Sequence, residues 1–213
     1  MSGAACSHFN WRSHLDFDHP PTDPFLVFKD WFDHAVSTSP LPNPNAMTVA
    51  TADETGRPSA RIVLLKAFDD RGFVFFTNRQ SRKGLDLAVN QHGAIVFHWD
   101  EADRQVRIEG RFEEVEDAES DEYFASRPRE SRLNAWASEQ SRPIESRSEL
   151  ESRRRAIDER FPEGIDPPRP AHWGGYRLVP TRIEFWQGHP YRLHDRVLYR
   201  RVDEAWRTER LMP

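Results

Sequence analysis

Short blocks of apolar residues, separated by polar and turn-forming residues, run along the chain and predict a fold rich in β-strands. The first block predicts a helix with Asp23 as N-cap and Pro24 at its first position. Its apolar stripe recurs at helical spacing and comprises Phe25, Phe28, Phe32 and Val36. Five strands are then predicted at MTVATAD, SARIVLLKAFD, GFVFFTN, GAIVFHWD and RQVRIEGRFEEV.

Helical segments lie between and after these strands. Ser81 is a plausible N-cap for a short helix in SRKGLDLAVN, and Asp117 is a cap candidate for DAESDEYFASR. Two further helices are predicted in SRLNAWASEQS and IESRSELESRRRAIDERF, and the strands YRLVPTRIEFWQG, RVLYRRV and WRTERL close the chain. Because few βαβ units are visible, the pattern favours mostly antiparallel strands closing into a barrel with peripheral helices.

The domain organisation follows from length and local composition. Residues 1–22 are rich in polar residues and Pro, which predicts a flexible arm. Residues 23–213 predict a single domain, because a chain of 213 residues is long enough for one sizeable core.

Charge and cysteine content narrow the possible partners and compartment. The net charge of -5 argues against a general nucleic-acid binder, which needs a broad basic surface. Cys6 is the single cysteine, so no internal disulfide can form. The first residues lack a secretory signal, and no apolar run approaches the roughly 20 residues of a membrane-spanning helix. These features predict a cytoplasmic protein with no membrane contact.

Familiar nucleotide, hydrolase and metal motifs do not occur in the chain. It has no GxGxxG or P-loop signature and no GxSxG motif. No Cys/His cluster has zinc spacing, so no metal is expected. The candidate chemistry therefore rests on cationic and polar residues at the ends of the predicted elements.

Two groups of cations suit anionic ligands. Arg82 and Lys83 follow Ser81 at a predicted helix start, where free N–H groups favour a phosphate. Solvated surface charge is the alternative interpretation of this pair. Arg61 and Lys66 bracket IVLL and point to opposite faces of a strand unless a bulge intervenes.

Two further constellations lie in the second half of the chain. Tyr123, Arg127 and Ser131 are spaced at i, i+4 and i+8, and they fit either a phosphate cradle interrupted at Pro128 or a helix end with local caps. Arg192 and His194 alternate in a predicted strand and share a face. An exposed edge strand carrying charges is the alternative for this pair.

Taken together, eight segments in order resemble the pyridoxamine 5'-phosphate oxidase family from about Asp23 to Pro213. They are RIVLLK, FVFFTNRQSRKGLDL, RQVRIEG, YFASRPRESRLNAWASEQS, WGGYRL, EFWQG, RLHDR and the terminal RL-x-P. The resemblance implies a mainly β fold with peripheral helices, an FMN-binding split β-barrel that is mostly antiparallel. It also implies a homodimer with FMN at the subunit interface.

The same resemblance implies roles for individual residues. The FMN-binding residues it implies are Arg61, Lys66, Phe76, Thr77, Arg82, Lys83, Gln105, Gln140, Ser141, Trp186 and Arg196. At position 76 the family usually has Tyr, so Phe76 keeps the aromatic surface and lacks one hydroxyl. The phosphate of a vitamin B6 substrate is expected at Lys66, Tyr123, Arg127 and Ser131. Arg192 and His194 are expected over the substrate ring as the catalytic pair.

The implied reaction is that of a pyridoxal 5'-phosphate synthase. Pyridoxamine 5'-phosphate or pyridoxine 5'-phosphate is oxidised to pyridoxal 5'-phosphate with O2 as acceptor, giving H2O2. Two alternatives stay open: a related flavin oxidase of another small ring substrate, of the phenazine type, and a non-catalytic protein that binds flavin or a B6 phosphate.

Two departures from the family pattern bear on these alternatives. The N-terminal segment FNWRSHLDFDHP lacks an Arg-x-x-Tyr motif that often closes over the substrate. Ser131-Arg132-Leu133-Asn134 stands where Ser-Gln-x-Gly is usual.

Overall fold

The computed structural model describes residues 15–213, which form a sheet of nine strands and five α-helices. The strands are β1 (Ala46–Ala52), β2 (Pro58–Leu64), β3 (Ala67–Asp69), β4 (Gly72–Asn78), β5 (His92–Trp99), β6 (Arg104–Glu114), β7 (Trp173–Gln187), β8 (Asp195–Val202) and β9 (Ala205–Arg210). The helices are α1 (Pro24–Thr38), α2 (Arg82–Val89), α3 (Asp117–Ser126), α4 (Arg129–Ala137) and α5 (Arg147–Arg160). Strand order is β2-β1-β5-β6-β7-β4-β3, with β8 on β7 and β9 on β8.

The chain forms two compact units. Unit 1 takes in the described residues up to Asn45, together with Phe97–Arg107 and Arg182–Pro213. Unit 2 takes in Ala46–Val96 and Ile108–Thr181. The expectation of a single domain over residues 23–213 stays a prediction.

In unit 1, α1 begins as predicted, because the Asp23 carboxylate accepts a hydrogen bond from the Phe25 backbone N–H at 2.9 Å. The predicted apolar stripe is confirmed at Phe28, half-buried at Phe25 and Phe32, and wrong at Val36. The helix buries Pro24, Val27, Phe28, Trp31 and Ala35, whereas Val36 is 51% exposed. Trp31 determines this face, since its ring packs edge-on against Phe185 at 5.3 Å.

The predicted flexible arm falls largely on residues 1–14, which lie outside the described residues. In the described remainder, Leu15 and Phe17 are buried. The Tyr199 hydroxyl donates to the Pro21 carbonyl at 2.8 Å, and Arg210 bonds the Asp18 carboxylate at 2.6 Å. Polar and apolar contacts thus fix residues 15–22 within unit 1.

In unit 2, the predicted continuous strand over residues 59–69 is wrong. It divides into β2 and β3, with Leu65 and Lys66 between them. Leu65 is buried, and the Lys66 N–H donates to the Val74 carbonyl of β4 at 2.8 Å. The chain therefore stops pairing with β1 after Leu64, and from Ala67 onwards it pairs with β4.

The helices of unit 2 lie close to their predicted positions. Asp117 is the first residue of α3 rather than its cap, because Glu116 occupies the N-cap position. The Asp117 carboxylate instead binds Arg169 at 2.9 Å. As predicted, the chain breaks at Pro128, so that α3 and α4 are separate helices.

Helix α5 packs beside α4 through two arginines, and Arg160 lies over the Trp136 ring of α4 at 4.6 Å. Arg154 donates to Glu130 at 2.6 Å and to Asn134 at 2.8 Å, both on α4. The Trp136 indole N–H also bonds the Pro168 carbonyl at 2.8 Å. These contacts hold α4 in place although α5 buries no residue completely.

None of the helices in the described part of the chain combines the length and apolar character required to cross a bilayer. Over the same residues, no group of three or more His, Cys, Asp or Glu side chains is arranged to hold a metal ion.

Gly72 provides a test of the β3–β4 turn that shapes unit 2. Its φ is 142°, and a Cβ there would lie 2.0 Å from the Leu178 carbonyl oxygen. We expect Gly72→Ala to lower the free energy of unfolding by about 3 kcal/mol, measured by urea denaturation, because strain and overlap add.

The matched control is Gly56→Ala. Gly56 also has a positive φ, 80°, but apart from its own residue and its chain neighbours no atom lies within 4 Å of the position that an added methyl group would take. Only the backbone cost of about 1 kcal/mol is expected there. Equal losses for the two variants would contradict the proposed overlap with Leu178.

Candidate functional site

Unit 2 contains a cavity of about 920 Å³, which falls within the usual size range of small-molecule sites. Its walls come from β2, the end of β4, the start of α2, the α3–α4 break and the segment after α4. The residues that line it are Ser59, Ala60, Arg61, Ile62, Val63, Leu64, Lys66, Phe76, Thr77, Asn78, Arg82, Lys83, Tyr123, Arg127, Pro128, Ser131, Asn134, Ala135, Ser138, Gln140, Ser141 and Trp173.

The break between β2 and β3 places both cations of this segment in the cavity wall. Arg61 lies within β2, and Lys66 follows the end of that strand. On a continuous strand the two side chains would point to opposite faces. Because β2 ends between Arg61 and Lys66, the two side chains need not point to opposite faces. The sequence allowed for this outcome in the form of a bulge.

Lys83 is the most buried cation of the cavity, with 6% of its surface exposed. Its ammonium donates hydrogen bonds to Thr77 Oγ1 at 3.0 Å and to Ser81 Oγ at 3.1 Å. It also donates to Gln140 Oε1 at 3.0 Å. The three donors of the ammonium are thereby directed to β4, the N-cap of α2 and the segment after α4.

Burial lowers the pKa of Lys83 to about 8, and the nearby charge of Arg61 acts in the same direction. A bound anion would oppose both effects, since it favours the charged ammonium. Together with the N-terminus of α2, this makes the Lys83 end of the cavity suited to a phosphate group.

Arg61 is fixed by polar contacts on the neighbouring elements. Its guanidinium donates to Thr51 Oγ1 at 2.8 Å and to Ser59 Oγ at 2.6 Å. Thr51 in turn donates to the buried Asp86 carboxylate at 2.6 Å, and that carboxylate lies 3.9 Å from Arg61. Contacts with β1, α2 and β2 therefore hold Arg61 in a defined orientation.

Three stacked aromatic rings line another part of the cavity. Phe76 stacks on Tyr123 with ring centroids 4.2 Å apart, and on Trp173 at 5.4 Å. The interplanar angles are 17° and 8°. A set of nearly parallel rings offers a flat apolar surface, which suits a planar ligand.

A second cationic group lies at the α3–α4 break. Arg127 packs over the Trp173 ring at 4.8 Å, and Lys66 Nζ lies 5.8 Å from the Tyr123 ring centroid. Arg127 Nη1 is buried without a hydrogen-bond partner, and burial lowers the pKa of this guanidinium. An unsatisfied buried donor in the wall that contains the Ser131 hydroxyl points to an anionic ligand at this end.

Eleven of the predicted site residues thus line one cavity, although their individual roles stay predictions. They are Arg61, Lys66, Phe76, Thr77, Arg82, Lys83, Tyr123, Arg127, Ser131, Gln140 and Ser141. The other five, Gln105, Trp186, Arg192, His194 and Arg196, belong to unit 1 and do not line the cavity of unit 2.

The predicted placement of Arg192 and His194 in a strand is wrong. Arg192 ends a short turn with a φ of 65°, and His194 precedes β8. Residues in the left-handed region cannot continue a strand, so the two side chains do not alternate across a sheet. His194 packs on Trp186 with ring centroids 4.6 Å apart.

Arg196 lies in β8 and is already bound to protein groups. Its guanidinium donates to the buried Glu184 carboxylate at 2.9 Å and to the Met212 carbonyl at 2.9 Å. Gln105 is the second residue of β6, at the strand start that the sequence predicts.

Several cavity residues were not predicted from the sequence. Trp173 completes the aromatic stack, and its position in the motif WGGYRL was the available signal. Asn134 lines the cavity while its side-chain oxygen accepts from Arg154. Thr51 and Asp86 orient Arg61 from behind the cavity lining, and no local pattern identifies them, because their roles arise from a contact between β1 and α2.

Comparison with known families accounts for most of the chain. Residues 34–160 match the family described as Pyridoxamine 5'-phosphate oxidase. Residues 173–213 match the Pyridoxine 5'-phosphate oxidase C-terminal dimerisation region.

Curated relatives agree with these matches. A protein of Cupriavidus pinatubonensis, named Pyridoxine/pyridoxamine 5'-phosphate oxidase, is 60% identical over 192 residues, covering 90% of this chain and 89% of its own length. A protein of Burkholderia thailandensis with the same name is 60% identical over 205 residues, covering 95% of this chain and 94% of its own.

Solved structures confirm the predicted fold class, a mainly β split barrel with mostly antiparallel strands. PhzG from Burkholderia lata 383, in complex with tetrahydrophenazine-1-carboxylic acid, has a TM-score of 0.86 and 32% identity, covering 93% of this chain and 99% of PhzG. A pyridoxamine 5'-phosphate oxidase-related, FMN binding protein from Nostoc punctiforme has a TM-score of 0.70, covering 91% of this chain and 100% of its own, and at 19% identity it supports the fold alone.

The lowered pKa of Lys83 predicts a specific pH dependence of stability. The ordinary pKa is 10.5 and the folded value is about 8, so between these values the unfolded chain binds more protons than the folded one. The free energy of unfolding should therefore rise with pH across this window because of Lys83. Below about pH 8, Lys83 is charged in the folded protein, so the cost of burying its ammonium lowers the free energy of unfolding in full.

Comparison with Lys83→Met isolates this contribution. We expect urea denaturation of the ligand-free protein, from pH 7.5 to 10.5, to show wild-type stability increasing relative to the variant. The other titrating groups are common to both proteins and cancel. Parallel stability profiles would contradict the lowered pKa.

Proposed function

Because the chain belongs to the pyridoxamine 5'-phosphate oxidase family, we propose that it oxidises pyridoxamine 5'-phosphate or pyridoxine 5'-phosphate to pyridoxal 5'-phosphate. FMN is the cofactor and O2 the electron acceptor, which is reduced to H2O2; with the amine substrate, water is taken up and ammonia is released as well. The observation that carries this proposal is the presence of two cationic groups and a stack of aromatic rings in one cavity. Two phosphorylated ring compounds, FMN and a B6 phosphate, have the matching chemistry.

The residues at the α2 end fit the cofactor. Arg61, Arg82 and Lys83 would hold the FMN phosphate, because a helix N-terminus and three cations meet there. The polar lining residues Lys66, Thr77, Gln140 and Ser141 and the Phe76 ring would contact the rest of FMN, as would Gln105, Trp186 and Arg196 of unit 1. Bound FMN supplies the hydride-accepting chemistry that no side chain of the protein provides.

The residues at the α3–α4 break fit the substrate phosphate. Arg127 has a buried donor without a partner, and the Tyr123 and Ser131 hydroxyls and the Lys66 ammonium belong to the same wall. Anchoring the phosphate uses binding energy remote from the reacting carbon to orient the substrate ring. Arg192 and His194 would contact that ring and assist movement of a proton from the alcohol or amine.

The proposed assembly is a homodimer with FMN at the subunit interface. The match of residues 173–213 to a C-terminal dimerisation region supports a dimer.

A second candidate function is oxidation of another small ring substrate, of the phenazine type. Similarity to PhzG in complex with a tetrahydrophenazine carboxylic acid favours it. The carboxylate of such a ligand could also accept from the buried donor of Arg127, so substrate tests are needed to distinguish the two candidate functions. A non-catalytic protein that binds flavin or a B6 phosphate would have the same cavity, and turnover measurements distinguish it from an oxidase.

Anaerobic mixing of the FMN-loaded protein with each candidate substrate tests the proposal. We expect pyridoxine 5'-phosphate and pyridoxamine 5'-phosphate to bleach the flavin absorbance, and admission of O2 to restore it with release of H2O2. Bleaching by tetrahydrophenazine-1-carboxylic acid alone would support the second candidate function. Flavin retention without bleaching by any substrate would support the binding protein.

Arg192→Ala in the same assay tests the catalytic pair. We expect flavin reduction to slow by about 100-fold with FMN still bound, because the variant loses a group that orients the reacting ring. Arg155→Ala is the matched control, since it removes the same charge from an exposed position on α5, outside the segment matched to a dimerisation region. Near-normal reduction by Arg192→Ala would contradict its assignment.

A further inference from the structure

The loop that joins β7 to β8 has an unusual backbone. Residues 188–194 form it, and Tyr191 and Arg192 have φ values of 59° and 65°. Residues other than Gly rarely adopt this left-handed backbone conformation at two successive positions. The conformation persists only when surrounding contacts hold it. Tyr191 is 96% exposed, so the contacts that hold the loop lie elsewhere.

His189 supplies two of these contacts. Its backbone N–H donates a hydrogen bond to His194 Nδ1 at 3.1 Å. Its imidazole Nε2 lies 2.9 Å from Asp195 Oδ2, at the first residue of β8. His189 therefore spans the loop from its start to its end.

The base of the loop is fixed on both sides of His189. Gln187 pairs with Asp195 across the two strands, and the Gly188 N–H donates to the Asp103 carbonyl at 2.8 Å. Arg210 also binds the Asp195 carboxylate. The carboxylate that receives the His189 ring is thus itself held in place.

The contact with the His189 backbone determines the proton position on His194. A backbone N–H can only donate, so Nδ1 of His194 must accept with its lone pair. A neutral His194 ring then carries its hydrogen on Nε2. The Trp186 ring, 4.6 Å away and tilted by 39°, restricts the plane of the imidazole.

We propose that His189 is a positioning residue that fixes the tautomer and orientation of His194, so that His194 presents an Nε2–H donor to the bound substrate. This inference rests on the proposed function for the role of His194. The tie through the Asp195 carboxylate keeps the His189 backbone in place to donate. Without that tie, the strained loop loses one of its closing contacts and the His194 ring can rotate or exchange tautomers.

The test uses the FMN-loaded full-length protein with two substitutions. His189→Ala removes the bond to Asp195, whereas His189→Gln keeps a side-chain N–H that can reach the same carboxylate. Ring nitrogen signals from protein labelled with 15N-histidine report the tautomer directly. The His194 signals are identified among the nine histidines by their loss in His194→Gln.

We expect wild type and His189→Gln to show a single His194 species with hydrogen on Nε2, and His189→Ala to show averaged or mixed tautomers. In turnover of pyridoxine 5'-phosphate, His189→Ala should lower kcat about tenfold with KM nearly unchanged, and His189→Gln should restore most of it. If His189 served only to close the hairpin between β7 and β8, its substitution would not change the ring nitrogen signals of His194.

The remaining outcomes separate the parts of the proposal. An unchanged His194 tautomer in His189→Ala overturns the proposal, whatever happens to kcat. If His189→Ala no longer shows the single His194 tautomer but kcat is unchanged, the role of His189 in turnover is overturned. If the wild type does not oxidise B6 phosphates but the tautomer depends on His189 as expected, the proposed function fails while the positioning by His189 stands.

Discussion

The buried ammonium of Lys83 is the interaction on which the candidate site depends. It joins three parts of unit 2 that are distant in sequence: Thr77 at the end of β4, Ser81 before α2, and Gln140 after α4. A buried cation is costly unless hydrogen bonds or an opposite charge compensate it. The three acceptors here are neutral, so a bound anion would complete the compensation, which links the architecture of the cavity to its proposed ligand.

Breaks between consecutive strands and between consecutive helices bring the other polar residues into the cavity wall. The break between β2 and β3 brings Lys66 into the wall that contains Arg61, and Pro128 turns the chain so that Arg127 and Ser131 line the same cavity. Each arrangement requires that a strand or helix ends at a particular position, after which the side chains of both flanking elements face one space.

The sequence predicted those features whose cause is local. Asp23-Pro24 starts α1, Pro128 separates α3 from α4, and Lys83 lies at a helix start with one face toward the cavity. Features that depend on distant contacts were missed. The buried face of α1 follows from Trp31 packing on Phe185, and the orientation of Arg61 follows from Thr51 and Asp86.

The loop with Arg192 and His194 shows the same limit. Its alternating sequence suggested a strand, but His189 and Asp195 close a turn that no period in the sequence indicates. For this reason, the family resemblance predicted roles for Arg192 and His194, while the structure was needed to describe the geometry of their loop.

We propose that one cavity binds two phosphates at separate ends, and paired affinity measurements test this most directly. FMN affinity is measured with the ligand-free protein, and pyridoxal 5'-phosphate affinity with protein saturated with FMN, for Lys83→Met and Arg127→Ala. We expect Lys83→Met to weaken FMN binding and spare pyridoxal 5'-phosphate, with the reverse for Arg127→Ala. Equal weakening of both ligands by both substitutions would contradict the claim.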